Sequence, residues 1–299
     1  MARAFPASSR GGQVDWLSGA IDFHVHAGPS FFPRWGDGPA VAAVCRDAGL
    51  GGVLLKAHEG STVEVAAALS VTHGPLRVAG GVVLNRYVGG VNPDAALASV
   101  RLGGRCLWFP TIDSDDHVRA YGSTGAYHRQ AGGTEDAQTI SVLNADGALT
   151  GPAMEVLAIA RDHDVCVATG HLSALAIDRV LDAAADIGLR RVLVQHPCFA
   201  TPALDLDAIE RVVGRGACVE LTYLSVSPMW SDVTLERCVE VMRRVDGDSV
   251  VVSSDAGQLH NPSPPEALRS FAQSLHERGV AAADVRRALV DTPAGLLGW

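Results

Sequence analysis

The amino-acid sequence predicts one (β/α)8 barrel spanning residues 1–299. Three observations predict it. Short β-prone apolar runs alternate with stretches carrying apolar residues every three to four positions, the alternation of strand–helix units. Most of these runs are continuous (VLL, VLVQ, VVVSS) rather than alternating, as in parallel strands covered on both faces. The units number eight, the count that closes a barrel.

The elements follow in order. The first strand, 20–26, is the run Ala20-Ile21-Asp22-Phe23-His24-Val25-His26, and a helix over 39–48 opens on Pro39 and closes at Gly49. The second strand, 52–56, leads to a helix over 63–72, and the third, 77–84, to a helix over 93–100 that again starts on proline. The fourth strand, 105–110, is followed by a polar, glycine-rich stretch, 111–151, too long for a plain connection. Its tail, 139–149, reads as a hairpin turning at Asp146-Gly147. Loops of this length in compact domains serve as lids or binding loops. A helix over 152–162 and the strand 165–170 come next, then a helix over 174–187 stopped by Gly188 and the strand 191–195. The helix 206–213, the strand 217–222, the helix 235–245, the strand 250–254 and the helix 265–278 complete the barrel, leaving a short helix and tail over 281–297.

Composition narrows the function. With 47% hydrophobic and 19% charged residues there is material for a large core and no sign of disorder. A net charge of -9 argues against a nucleic-acid binder, which needs a basic surface. No apolar run approaches a membrane-spanning length, and residues 1–13 hold no apolar core of the kind a secretory leader needs. Six scattered cysteines without a C-x-x-C pair fit buried thiols in a reduced, cytoplasmic protein.

The chemistry gathers at strand ends. In the first strand His24 and His26 stand two apart and so share a face, which is half of a tetrahedral metal site. Three later runs close on His171, His196 and Asp255, at the fifth, sixth and eighth strands. Taken singly, His171 or His196 would be a structural hydrogen-bonder, and Asp255 a cap for the next helix. Together, all five face the one mouth where a barrel collects its catalytic groups. Four imidazoles and a carboxylate suit one or two divalent transition metals, with zinc the leading candidate and manganese or iron alternatives.

The segments IDFHVHAGP, ATGH, VQHP and SSDAG, in this order, resemble the amidohydrolase superfamily of metal-dependent hydrolases, and the ending DTPAGLLG is similar to a tail common there. The segments VLLKAH and LWFPTID resemble an uncharacterised branch of it. The resemblance implies that His24, His26 and Asp255 hold the more buried metal. It also implies that His171 and His196 hold a second one, or act as a third histidine ligand and a catalytic histidine around a single ion. By the same resemblance Asp255 takes a proton from metal-activated water and passes it to the leaving group. Two-metal members place a bridging lysine or glutamate at the fourth strand, whereas here that strand ends Trp108-Phe109-Pro110-Thr111. Either one metal is held or another group bridges.

Lys56 and His58, two apart at the end of the second strand, are the obvious replacements, with Glu59 a weaker one. A lysine inside an apolar run is costly unless used, and the alternative is a snorkelling residue at the rim. Further candidates for binding substrate are Arg34, in a segment with Phe31, Phe32 and Trp35 that could line a pocket for an organic anion, and Asn85, Asp113 and Tyr223 after the third, fourth and seventh strands. His117 and Gln258 could also reach the mouth. Asp115 and Asp116 read as a solvated acidic loop, His73, His128, His163 and His276 as solvent-facing, and Cys198 as unactivated.

The expected activity is metal-dependent hydrolysis of an amide, cyclic amide or lactone in a small organic molecule, with Asp255, His196 and Lys56 catalytic. Two alternatives stand beside it: a one-metal decarboxylase of an aromatic or unsaturated carboxylate, and a non-catalytic barrel that holds a metal or ligand. Neither nucleic acid nor membrane is an expected partner, and association into a homo-oligomer stays open.

Overall fold

The structure, a computed structural model, describes residues 14–125 and 138–299. The first 13 residues and His128 therefore lie outside the described residues, as does the centre of the long stretch after the fourth strand. Strand segments run in order as β1 (Ile21–His26), β2 (Gly52–Lys56), β3 (Arg77–Ala79), β4 (Gly81–Val83), β5 (Cys106–Trp108), β6 (Cys166–Ala168), β7 (Val192–Val194), β8 (Cys218–Thr222) and β9 (Val250–Ser253). They form two parallel arcs, β1 to β3 and β4 to β9, each in sequence order. The arcs meet at both ends. β3 passes into β4 through Gly80, while Val25 bridges Ala256 just beyond β9 and the His26 N–H donates to the Ala256 carbonyl at 2.8 Å. The (β/α)8 reading of the sequence holds.

The third strand, expected unbroken over 77–84, is split at Gly80 for a steric reason. A Cβ there would lie 2.5 Å from the Thr62 carbonyl oxygen. The Thr62 hydroxyl accepts from the Gly81 N–H at 3.0 Å and donates to the Leu55 carbonyl at 2.8 Å, so the chain at 80–81 is drawn onto Thr62. Gly80→Ala should cost about 1–3 kcal/mol through overpacking. Denaturant unfolding checks this, and an unmoved midpoint would contradict it.

The long helices on the outside are α1 (Gly38–Asp47), α2 (Val63–Thr72), α3 (Pro93–Arg101), α5 (Gly151–Asp162), α6 (Ala174–Ile187), α7 (Leu206–Gly214), α9 (Leu235–Arg244) and α10 (Pro264–Glu277), with shorter α4 (Asp115–Tyr121) and α8 (Tyr223–Val226) at the mouth. Side chains of Asp37, Asn92, Thr150, Ser173, Asp205 and Thr234 cap six of them by accepting from first-turn N–H groups. Gly188, at φ 76°, ends α6. The expected terminal helix and tail are two helices, α11 (Ala282–Leu289) and α12 (Asp291–Leu297).

Two corrections concern the stretch after β5. It contains α4, nucleated by Ser114, whose hydroxyl accepts from His117 N–H, and by Asp115 and Asp116 in the first turn, where carboxylates suit the helix dipole. The expected hairpin is reduced to a turn with one antiparallel bridge, Leu143–Leu149, closed by Asn144 N–H on the Ala148 carbonyl. Among the described residues no helix is long and apolar enough to cross a membrane.

The barrel interior is layered. An inner cluster of Phe23, Leu54, Val83, Cys106, Trp108, Cys166, Leu193 and Val251 plugs the barrel, with Leu296 and Leu297 of α12 beneath it. Continuing the two-residue period from these positions places Lys56, Gln195, Glu220 and Ser253 one layer higher. On β1 the register shifts between Asp22 and Val25. That irregularity resets the alternation: Phe23 joins the inner cluster, Val25 the outer one, and both His24 and His26 turn to the mouth.

Candidate metal centre

Three acceptor atoms converge on the floor of the mouth. His24 Nε2 and His26 Nε2 are 3.2 Å apart, and Asp255 Oδ1 lies 3.1 Å from the first and 3.2 Å from the second. Ligands about 2.0–2.1 Å from a shared zinc in tetrahedral geometry stand about 3.3 Å from one another, so the donor set and its spacing fit a divalent cation. All three side chains are buried. Burial, and then the charge of Arg34, keep the His26 imidazole well below its ordinary pKa, hence neutral and able to ligate. Burial raises the Asp255 carboxyl, against the opposing pull of His24 and Lys56.

Beneath the floor, Glu220 fixes His24. Its carboxylate stands 3.3 Å from His24 Nδ1 and accepts from Gln195 Nε2 at 2.8 Å and Ser253 Oγ at 2.7 Å. Burial alone would raise Glu220, yet the contacts with His24 and Ser253 outweigh it and bring it down to about 2. A carboxylate on Nδ1 puts the ring proton there and leaves the Nε2 lone pair for the metal position. Glu220 also falls in a second candidate ligand group with His24 and His196. Its oxygens are already engaged by Gln195 and Ser253, so its part is to orient His24. Sequence reasoning missed Glu220 and Gln195, although a glutamate inside the apolar run Cys-Val-Glu-Leu-Thr was the available signal.

Lys56 is 2% exposed, with Nζ 3.2 Å from His24 Nε2, 3.5 Å from Gln195 Oε1 and 5.7 Å from the Trp108 ring centroid. Burial lowers its pKa, and Asp255 and Glu220 partly restore it. It faces the site and does not snorkel.

His196 Nε2 approaches Asp255 Oδ2 at 3.5 Å, its ring stacked on Phe199 at 4.3 Å. His171 lines the cavity, with Nδ1 2.9 Å from Nδ1 of the buried His117, but belongs to neither candidate ligand group. His58 stacks on His26 at 4.8 Å, and its Nδ1 meets the Thr111 hydroxyl at 3.0 Å. Burial pushes His58, His171 and His196 well below the usual imidazole range, so the mouth is lined by neutral rings.

The cavity encloses about 330 Å³, and Arg34 and Gln258 also line it. Three candidates stand behind the lining. Asn85 donates to the His58 carbonyl and the Thr111 hydroxyl and so holds the His58 segment in place. Asp113 is buried and accepts from Arg86 N–H at 3.1 Å. Tyr223 is half-buried on α8, whose Leu224 faces the cavity instead. Glu59 accepts from Ser30 Oγ and Phe31 N–H and is engaged in tethering that loop. Asp116 caps α6 through Ser173 N–H and pairs with Arg119, which removes it from the expected solvated loop. Of the histidines expected to face solvent, His163 is exposed, whereas His73 and His276 are half-buried. Burial pushes the Cys198 thiol up, the opposite of an activated thiolate.

This histidine–aspartate cluster stands at the C-terminal mouth of a parallel barrel. The chain belongs to DUF6282, a family of unknown function, whose model matches residues 19–220. Three solved structures share the fold. An amidohydrolase from Pseudomonas aeruginosa is 13% identical, with TM-score 0.58, over 94% of this chain and 97% of its own. A protein engineered for organophosphate hydrolysis from a promiscuous lactonase template is 14% identical, with TM-score 0.60, over 96% and 98%. The 2,6-dihydroxybenzoate decarboxylase from Rhizobium is 10% identical, with TM-score 0.58, over 94% and 99%. No curated protein matches the chain.

Proposed function

We propose that the protein is a metal-dependent hydrolase that opens a C–N bond of an amide or cyclic amide, or a lactone, in a small organic molecule. The observation that carries the reading is the convergence of His24 Nε2, His26 Nε2 and Asp255 Oδ1 within 3.1–3.2 Å at the base of an open cavity. These residues would hold the cation, zinc first by the nitrogen-rich donor set. Bound there, a divalent ion supplies Lewis acidity and brings the ionisation of water down to near neutral pH. Asp255 keeps its second oxygen for a proton, taking it from the attacking water and returning it to the leaving group. His196, held flat against Phe199, stands beside that oxygen to steady the proton or donate to the substrate carbonyl. Lys56 places a positive charge where negative charge builds as the carbonyl is attacked.

Fold relatives that include an amidohydrolase and a lactonase-derived hydrolase support the reading. Chelator treatment should abolish turnover on a panel of amides and lactones, and zinc, manganese or iron should restore it. Turnover that survives complete metal removal would overturn the proposal.

A second reading, decarboxylation by a one-metal site, draws on one observation. β5 ends at buried Trp108 and is followed by buried Phe109, with no carboxylate or lysine there to bridge two ions, and both candidate ligand groups share His24. Release of CO2 from aromatic carboxylates, with no hydrolysis of the panel, would select it.

A further inference from the structure

We propose that a groove beside β3, at the end of the barrel opposite the mouth, is a second ligand site. It holds a small organic phosphate between Arg77 and Arg105. The groove is separate from the histidine cluster, so the proposal does not depend on the reaction assigned above.

The groove follows from the break in the third strand. β4 rather than β3 pairs with β5, so β3 forms the edge of its arc. Both backbone groups of Val78 are taken by the Ser70 hydroxyl of α2, which accepts from the N–H at 2.9 Å and donates to the carbonyl at 2.8 Å. The Arg105 N–H donates to the Gly80 carbonyl at 2.8 Å and closes one end of the gap. Between β3 and the segment before β5 lies a space of about 510 Å³, a size common among ligand sites. Val63, Ala66, Leu76 and Leu102 give it an apolar wall, and Arg77 and Arg105 also line it. Arg77 begins β3 and Arg105 directly precedes β5, which puts both at the N-terminal ends of parallel strands.

Charge sets this groove apart. The chain carries 33 acids against 24 lysines and arginines. Elsewhere arginines are taken up by acids, as Arg191 is by Asp164, Arg215 by Asp178 and Asp182, and Arg278 by Glu236. Among the described residues no carboxylate pairs with Arg77 or Arg105. Partial burial, and then the charge of Arg105, lower the Arg77 pKa, so the two guanidinia stand close enough to repel. An anion between them removes that repulsion. Arg77 is also held in place, its guanidinium 4.0 Å over the Trp299 ring. The indole in turn stands against Gly52, where a Cβ would collide with it. Two planar forks present several donors to one ligand, which suits the oxygens of a phosphate. The apolar wall beside them fits an organic substituent, which a bare phosphate lacks.

Isothermal titration with butylphosphonate, whose C–P bond resists hydrolysis, and with inorganic phosphate tests the proposal. Wild type should bind one butylphosphonate per chain, and inorganic phosphate several-fold more weakly for want of the apolar contact. Arg77→Gln and Arg105→Gln should each weaken butylphosphonate by about tenfold or more, as the loss of a charge-assisted bond implies. Arg77→Lys should keep part of the affinity. Arg105 has no contact like the Arg77 stack on Trp299, so Arg105→Gln tests the site even if Arg77→Gln fails to fold; circular dichroism reports which variants fold. Zinc-loaded and metal-stripped wild type should bind butylphosphonate alike, because the groove lies at the far end of the barrel. Binding that vanishes with the metal, or that a folded Arg105→Gln leaves unmoved, would place the anion at the mouth and overturn the proposal. Equal affinity for the two probes, or no saturable binding of either, would overturn it as well.

Discussion

Asp255→Asn is expected to lower kcat by a factor of about 10²–10⁴ while leaving a folded barrel, the loss that follows from removing a positioned general base. In energy terms this is about 3–5 kcal/mol of transition-state stabilisation. The asparagine keeps the size of the side chain and one oxygen for the metal position. It cannot take the proton, and the 3.5 Å approach to His196 loses its charge. Turnover on the amide and lactone panel, circular dichroism and metal analysis of the same preparation check the prediction together. Full activity in a metal-containing variant would remove Asp255 from the proton path.

Glu220→Gln should weaken zinc binding by about 10–100-fold without unfolding the chain, the effect expected when the partner of a ligating histidine is lost. The glutamine amide still fits between Gln195, Ser253 and His24, so packing is nearly preserved. It no longer offers a full carboxylate to the His24 Nδ1 proton, and the preference for the tautomer with a free Nε2 declines. Competition with a chromogenic chelator measures the affinity directly, independent of any substrate. An unchanged affinity would show that His24 holds its orientation without Glu220.

The sequence signals that proved readable share a physical basis. Strands buried on both faces appear as continuous apolar runs, and each such run corresponds to a strand segment, because a parallel barrel leaves its strands no solvent side. Strand ends are equally visible. Where the run stops at His171, His196 or Asp255 the chain has reached the mouth, and the two-residue period of His24 and His26 survives the register shift that turns both inward. Lys56 drew attention as a charge within an apolar run, and the structure buries it beside His24.

Glu220 obeys the same rule on β8, but it lies mid-strand, one layer below the mouth, where attention to strand ends does not look. Asn85 and Asp113 were read by position after their strands. Position gives the depth of a residue but not its azimuth, and both turn away from the cavity to hold neighbouring loops. The break at Gly80 was invisible because it depends on Thr62, 18 residues earlier in the chain. The short helix α4 hid in a polar segment whose capping serine and two aspartates were read as loop character.

The central claim is that His24, His26 and Asp255 share one cation. Anomalous diffraction from crystals of the metal-loaded protein, recorded at the metal's absorption edge, tests it most directly. The account predicts a peak within bonding distance of His24 Nε2, His26 Nε2 and Asp255 Oδ1. A peak held by other residues, or none at full metal loading, would contradict it.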